Sequence, residues 1–194
     1  MVRQLCDMAV HLEHGRLKQV GEASSVIDAY LADAVPRNTS PERIGTEALW
    51  ADLKILEAGS ETTSGHLKFG GDYDFLLRLG AKEPFRRGVA RIQVFDQEGG
   101  LISSLQSLAE GVDQFDIVGT IDVVFKVRSL GLLPGTYTAG VALFSWGEDR
   151  AALSADDFLT FEVIPATVND AYWTYDREHG IVRLAHSAEL RVRS

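Results

Sequence analysis

Leu133-Pro134-Gly135-Thr136-Tyr137-Thr138-Ala139-Gly140-Val141-Ala142-Leu143-Phe144 reads as a turn that runs straight into a β-strand. Pro134 has no N–H to give to a ladder, and Gly135 tolerates turn geometry, so together they mark a start. Beyond them the residues sort with period two. Tyr137, Ala139, Val141 and Leu143 fall on one side, and Thr138, Gly140, Ala142 and Phe144 on the other. Successive strand side chains point to opposite faces, so this pattern predicts one buried and one wetter face. The same alternation recurs at 89–95, where Ala90, Ile92 and Val94 oppose Arg91, Gln93 and Phe95.

Working outward, strands are expected near 47–56, 73–80, 89–95, 101–108, 120–127, 136–145, 158–164 and 181–192. Gly70-Gly71-Asp72, Asp96-Gln97-Glu98-Gly99-Gly100, Leu133-Pro134-Gly135 and Gly147-Glu148-Asp149 supply turns between them. Short alternating strands with regular turns predict an all-β, antiparallel β-sandwich over residues 44–194, immunoglobulin-like or jelly roll. The N-terminal residues differ. Ala9-Val10-His11-Leu12-Glu13, the turn His14-Gly15 and Arg16-Leu17-Lys18-Gln19-Val20-Gly21 read as a hairpin. A helix is expected from Ala23 to Ala34, with Val26, Ile27, Tyr30 and Leu31 on one face. A hairpin plus one helix is too small to be stable alone, so residues 1–34 read as the tail of something larger. The proline-bearing stretch 35–43 reads as a linker.

Composition narrows the function. Nineteen basic against twenty-eight acidic residues give a formal net charge of -9, which repels a phosphate backbone and an anionic bilayer surface. Neither nucleic acid nor direct membrane insertion is expected, since no apolar run approaches the roughly 20 residues that span a bilayer. The single cysteine, Cys6, fits a reducing compartment.

Catalytic patterns are missing. The sequence has no P-loop, no GxGxxG after a strand and no GxSxG elbow. His11 and His14 flank a strand turn and would point to opposite faces, so no metal site is expected there. Asp72 with Asp74, Asp113 with Asp116, and Asp156 with Asp157 fall in apparent loops, where aspartates form turns. A glycosidase would need two carboxyls facing each other across a cleft. Neither an enzyme nor a cofactor is expected.

Sugar recognition fits the residues better. Aromatic rings stack on the apolar faces of sugars, and planar polar side chains fork onto hydroxyl pairs. Arg91, Gln93, Phe95, Thr138, Phe144 and Trp146, all expected on the non-core side of two strands, form the candidate glycan-binding set. Tyr172, Trp173 and Tyr175 read as aromatics pinning a connecting segment. Trp50 and Phe75, on strongly apolar strands, are expected in the core.

Two stretches resemble a known family. Val2-Arg3-Gln4-Leu5-Cys6-Asp7-Met8-Ala9-Val10-His11-Leu12-Glu13-His14-Gly15-Arg16-Leu17, then Gly21 and Val26-Ile27-Asp28-Ala29-Tyr30-Leu31, resemble the end of the nucleotide-binding domain of polysaccharide-export ABC transporters. Asp96-Gln97-Glu98-Gly99-Gly100-Leu101-Ile102, the segment from Leu133 to Leu143, Phe158-Leu159-Thr160-Phe161-Glu162-Val163 and Gly180-Ile181-Val182-Arg183-Leu184-Ala185-His186 resemble the C-terminal domain of Wzt-type O-antigen ABC transporter ATPases. The resemblance implies a non-catalytic sandwich that binds O-polysaccharide on the cytoplasmic side, peripheral to the inner membrane. It also implies a homodimer attached to the transporter's membrane subunit, with ATP and magnesium held only by an upstream domain. The alternative is a protein-interaction sandwich that docks the transporter or a glycosyltransferase and binds no glycan.

Overall fold

The computed structural model describes residues 7–13, 16–23, 26, 43–109, 111–166 and 179–184. The chain divides into two compact units, Met1–Asn38 and Thr39–Ser194.

In the first unit, β1 (Met8–Glu13) and β2 (Arg16–Glu22) form the expected antiparallel hairpin. Val10 opposes Val20 and Leu12 opposes Leu17, and all four, with Met8, are more than half exposed. His11 is instead buried, as are Ala23 and Val26, whose backbone is helical. The Val26 side chain lies against Gly21, so the hairpin has one covered and one open apolar side. The rest of the expected helix and the His14-Gly15 turn lie outside the described residues, as does all but Arg43 of the linker.

The second unit is an all-β sandwich. Its strands are β3 (Ile44–Gly45), β4 (Leu49–Glu57), β5 (His66–Lys68), β6 (Tyr73–Phe95), β7 (Leu101–Gln106), β8 (Phe115–Val127), β9 (Gly135–Ser145) and β10 (Leu153–Ile164). They follow the order β3-β4-β6-β9-β10-β5, with β7 and β8 also paired to β6.

β6 explains the architecture. Its first part, to Ala81, pairs with β4 on one side and β8 on the other. Its second part, from Gly88, pairs with β9 and β7. One strand therefore passes from one layer into the other. The expectation of two separate strands, 73–80 and 89–95, is corrected accordingly. Past Ala81, β8 goes on pairing with it through Phe85–Ile117 and Gly88–Phe115, with irregular register absorbing the bend. Arg87 takes a positive φ of 53° there. Its N–H donates to Asp116 at 3.0 Å, its side chain to Gln114 at 2.8 Å, and its carbonyl accepts from the Trp146 N–H at 2.7 Å. The Arg87 N–H, then Arg86, hold the Asp116 carboxyl below the usual carboxylate range.

Inward-facing residues of both layers make one core: Leu53 and Ile55 of β4, Phe75, Leu77 and Leu79 of β6, then Ile92, Tyr137, Val141 and Phe161 opposite. Phe75, from the first layer, meets Phe161 of the second edge-on at 6.1 Å between centroids, and Phe161 stacks on Tyr137 at 5.8 Å. The buried Tyr137 hydroxyl donates back to the Leu133 carbonyl at 2.5 Å, closing the turn on which the strand begins.

Three further expectations change. The sheet is not antiparallel throughout, because β5 pairs parallel to β10. Trp50 is not in the core; it stands on the outer side of β4, opposite in parity to Ala51, Leu53 and Ile55. Of the expected strand 181–192, residues 181–184 make a single bridge, Val182 to Leu132, and 185–192 lie outside the described residues.

Candidate functional site

The outer face of the second layer is built by β7, β6, β9 and β10, side by side. Register places Gln106, Arg91, Ala142 and Ser154 in one row across it. Ser104, Gln93 and Gly140 form the next row, and Phe95, Thr138 and Thr160 a third. Phe144 lies opposite Val89, and the Arg91 guanidinium sits over its ring, 4.8 Å from the centroid. Arg91, Gln93, Phe95, Thr138 and Phe144 thus share one partly exposed face. Trp146 lies one step beyond β9, in the following turn, with its side chain 43% exposed.

Small residues and a bulge shape the middle of this face. Gly140 and Ala142 are both buried here. β10 is irregular between Ala155 and Leu159, and a Cβ on Gly140 would press on the Ala155 and Asp156 carbonyls. The β10 backbone at Ala155 and Asp156 therefore crosses over Gly140, and Asp156 and Asp157 are exposed. Sequence reading assigned these aspartates to a loop; the cue to their place was Gly140, the residue without a side chain in the facing strand.

The other aspartate pairs are held by backbone N–H groups and by arginines. Asp72 accepts the Ser129 N–H at 2.8 Å and Asp74 pairs with Arg128 at 2.9 Å, which ties the end of β8 to the start of β6. Asp113 accepts the Gln114 N–H. Among the described residues no group of three His, Cys, Asp or Glu side chains could hold a metal ion. His14, Tyr172, Trp173 and Tyr175 lie outside the described residues.

The outer face of the first layer carries what sequence reading missed. The Trp50 indole lies across Gly80, its cross-strand partner, where any Cβ would overlap the ring. The Arg43 guanidinium covers the ring at 3.9 Å from its centroid. Beside it, Arg78 grips Asp122 through two bonds of 2.8 and 3.0 Å. That contact lowers the Asp122 pKa and raises that of Arg78. Arg43, Trp50, Arg78, Thr120, Ile121 and Asp122 line an open cleft of about 380 Å³.

A β-sandwich with two open outer faces, each carrying an arginine on an aromatic ring, is the class these features define. Among solved structures the chain is similar to the crystal structure of the C-terminal domain of Wzt, at 16% identity and a TM-score of 0.56. The match covers 80% of this chain and 90% of that one, so the sandwich has that fold. A β-glucuronidase of Parabacteroides merdae (11% identity, TM-score 0.35) and a β-glucosidase of Listeria innocua (12%, 0.34) match 61% and 62% of this chain. Those matches take in only 14% and 17% of the two enzymes and carry no argument about chemistry. No protein-family model and no curated protein sequence matches the chain.

Proposed function

We propose that this sandwich is a non-catalytic polysaccharide-binding domain, of the kind that reads O-antigen or a related glycan for an ABC exporter on the cytoplasmic side. The observation that carries the reading is the convergence of Arg91, Gln93, Phe95, Thr138 and Phe144 on one open face, with Trp146 at its end. Phe144 offers a stacking platform, and Arg91, Gln93 and Thr138 offer hydrogen bonds to sugar hydroxyls. The fold shared with the Wzt C-terminal domain supports it.

The contacts are few and open to water, so affinity is weak, with Kd on the order of 10 µM to 1 mM, or about -4 to -7 kcal/mol. A homodimer would raise it through avidity. The open apolar side of the hairpin, with Met8, Val10, Leu12, Leu17 and Val20, supports residues 1–34 as the end of a larger nucleotide-binding domain. The full protein would then recruit lipid-linked glycan to the transporter's membrane subunit.

Calorimetric titration with the O-polysaccharide of the protein's own source tests the reading. Saturable binding that is lost on Gln93→Ala supports it. No heat at millimolar glycan, with the domain folded, overturns it in favour of a protein-docking sandwich.

A further inference from the structure

The cleft on the first layer is separate from the Arg91–Phe144 face. Tryptophan normally lends its area to a core or an interface. Here Trp50 stands outside the core, and Gly80 is what lets the indole lie against the sheet. The Arg43 guanidinium resting on it has no carboxylate partner among the described residues. Exposed cation–π contacts are weak, so the guanidinium can leave the ring at small cost. Arg78 differs. Its fork onto Asp122 fixes it as a wall and compensates its charge. Among the described residues the cleft is left with one uncompensated positive charge, Arg43, in a chain whose net charge is -9. Its volume of about 380 Å³ falls in the range of small-ligand sites.

The geometry points to a second carbohydrate site here, one that takes a sugar bearing an anionic group, a carboxylate or a phosphate ester. The apolar face of the sugar replaces the Arg43 guanidinium on the Trp50 indole. The freed guanidinium forks onto the anion, a contact stronger than the one it gives up. The Asp122 oxygens keep lone pairs for a sugar hydroxyl, and the Thr120 hydroxyl donates or accepts beside them. A neutral sugar must displace Arg43 without that compensation and binds less well. This site stands whether or not the opposite face binds glycan.

Two tryptophans make the faces distinguishable, since Trp50 reports on this cleft and Trp146 on the end of the other face. In ¹H–¹⁵N spectra of the whole chain, their indole signals are assigned with Trp50→Phe and Trp146→Phe. The probes are digalacturonate, neutral digalactose, glucose 1-phosphate and inorganic phosphate. Digalacturonate or glucose 1-phosphate, according to which anion the site prefers, moves the Trp50 signal saturably. Digalactose binds at least about tenfold more weakly. Arg43→Gln, an exposed change that leaves the spectrum folded, abolishes the response, and so does Gly80→Ala. A Trp50 signal unmoved by every probe at millimolar concentration overturns the inference, whatever Trp146 does. So does an unaltered response in Arg43→Gln. If inorganic phosphate alone reproduces the shift at equal affinity, the cleft is an ion site and the sugar assignment fails.

Discussion

The Arg91 guanidinium lies 4.8 Å from the centroid of the Phe144 ring, across the diagonal between neighbouring strands. Arg91 opposes Ala142 and Phe144 opposes Val89, so the long side chain reaches over a small residue to meet the ring. The contact orders both groups on a face that contributes little to the core. Phe144→Ala should therefore cost less than the roughly 3–5 kcal/mol of a core phenylalanine, because the ring stands outside the core and is only partly buried. Glycan affinity should fall at least about tenfold, or 1.4 kcal/mol. Urea unfolding and calorimetric titration of the same variant separate the two effects. A variant that binds as wild type removes Phe144 from the contact surface.

Trp50 and Gly80 are coupled in the opposite sense, since one side chain occupies the space of another that is absent. Gly80→Ala forces a Cβ into the indole and should destabilise by about 1–3 kcal/mol. Trp50→Ala removes the obstacle. In that background the same Gly80→Ala change should cost less than about 0.5 kcal/mol, or stabilise slightly, because glycine weakens a strand interior. The double-mutant cycle reads this coupling directly. Equal costs in both backgrounds would mean that the indole does not rest on Gly80.

Much of this was legible because strand alternation is a local property. The parity of 89–95 and 136–145 assigns Ile92, Val94, Tyr137, Val141 and Leu143 inward and Arg91, Gln93, Thr138 and Phe144 outward, as the structure places them. The parity of β4 carried the same information for Trp50, which alternates with Ala51, Leu53 and Ile55. There the hydrophobicity of tryptophan outweighed the pattern, and the pattern was right. The passage of β6 between layers was not legible. It depends on β8 continuing to pair beyond Ala81 and on Asp116 holding Arg87 at positive φ, both contacts between residues far apart in sequence. Parallel pairing of β5 with β10 is likewise non-local and leaves no mark in a three-residue strand.

The Tyr137 hydroxyl offers a test of the turn from which the fold was read. It is fully buried and donates to the Leu133 carbonyl at 2.5 Å, with the Ile181 carbonyl 3.4 Å away. Tyr137→Phe keeps the ring and its stacking on Phe161 but leaves a carbonyl without its donor. The expected loss is about 1–2 kcal/mol in urea unfolding, with little change in glycan binding. A loss below about 0.3 kcal/mol would mean that the hydroxyl contributes no net stability.

The Arg78–Asp122 pair predicts a pH dependence with a definite sign. The Arg78 side chain lowers the Asp122 pKa in the folded state below its ordinary value of about 3.9. A depressed folded value means that the unfolded chain binds the proton more readily. The contribution is therefore fully present above the unfolded pKa and is lost as pH falls through the folded one. It should be constant from about pH 5 to 7 and decline below about pH 4. The pair is largely solvent-exposed, so screening keeps the contribution small. In Arg78→Gln, the ¹³C titration midpoint of the Asp122 carboxyl should rise towards the ordinary value, and the acid limb of the stability curve should flatten by the same amount. An unmoved midpoint would show that the bidentate contact is not what holds Asp122 ionised.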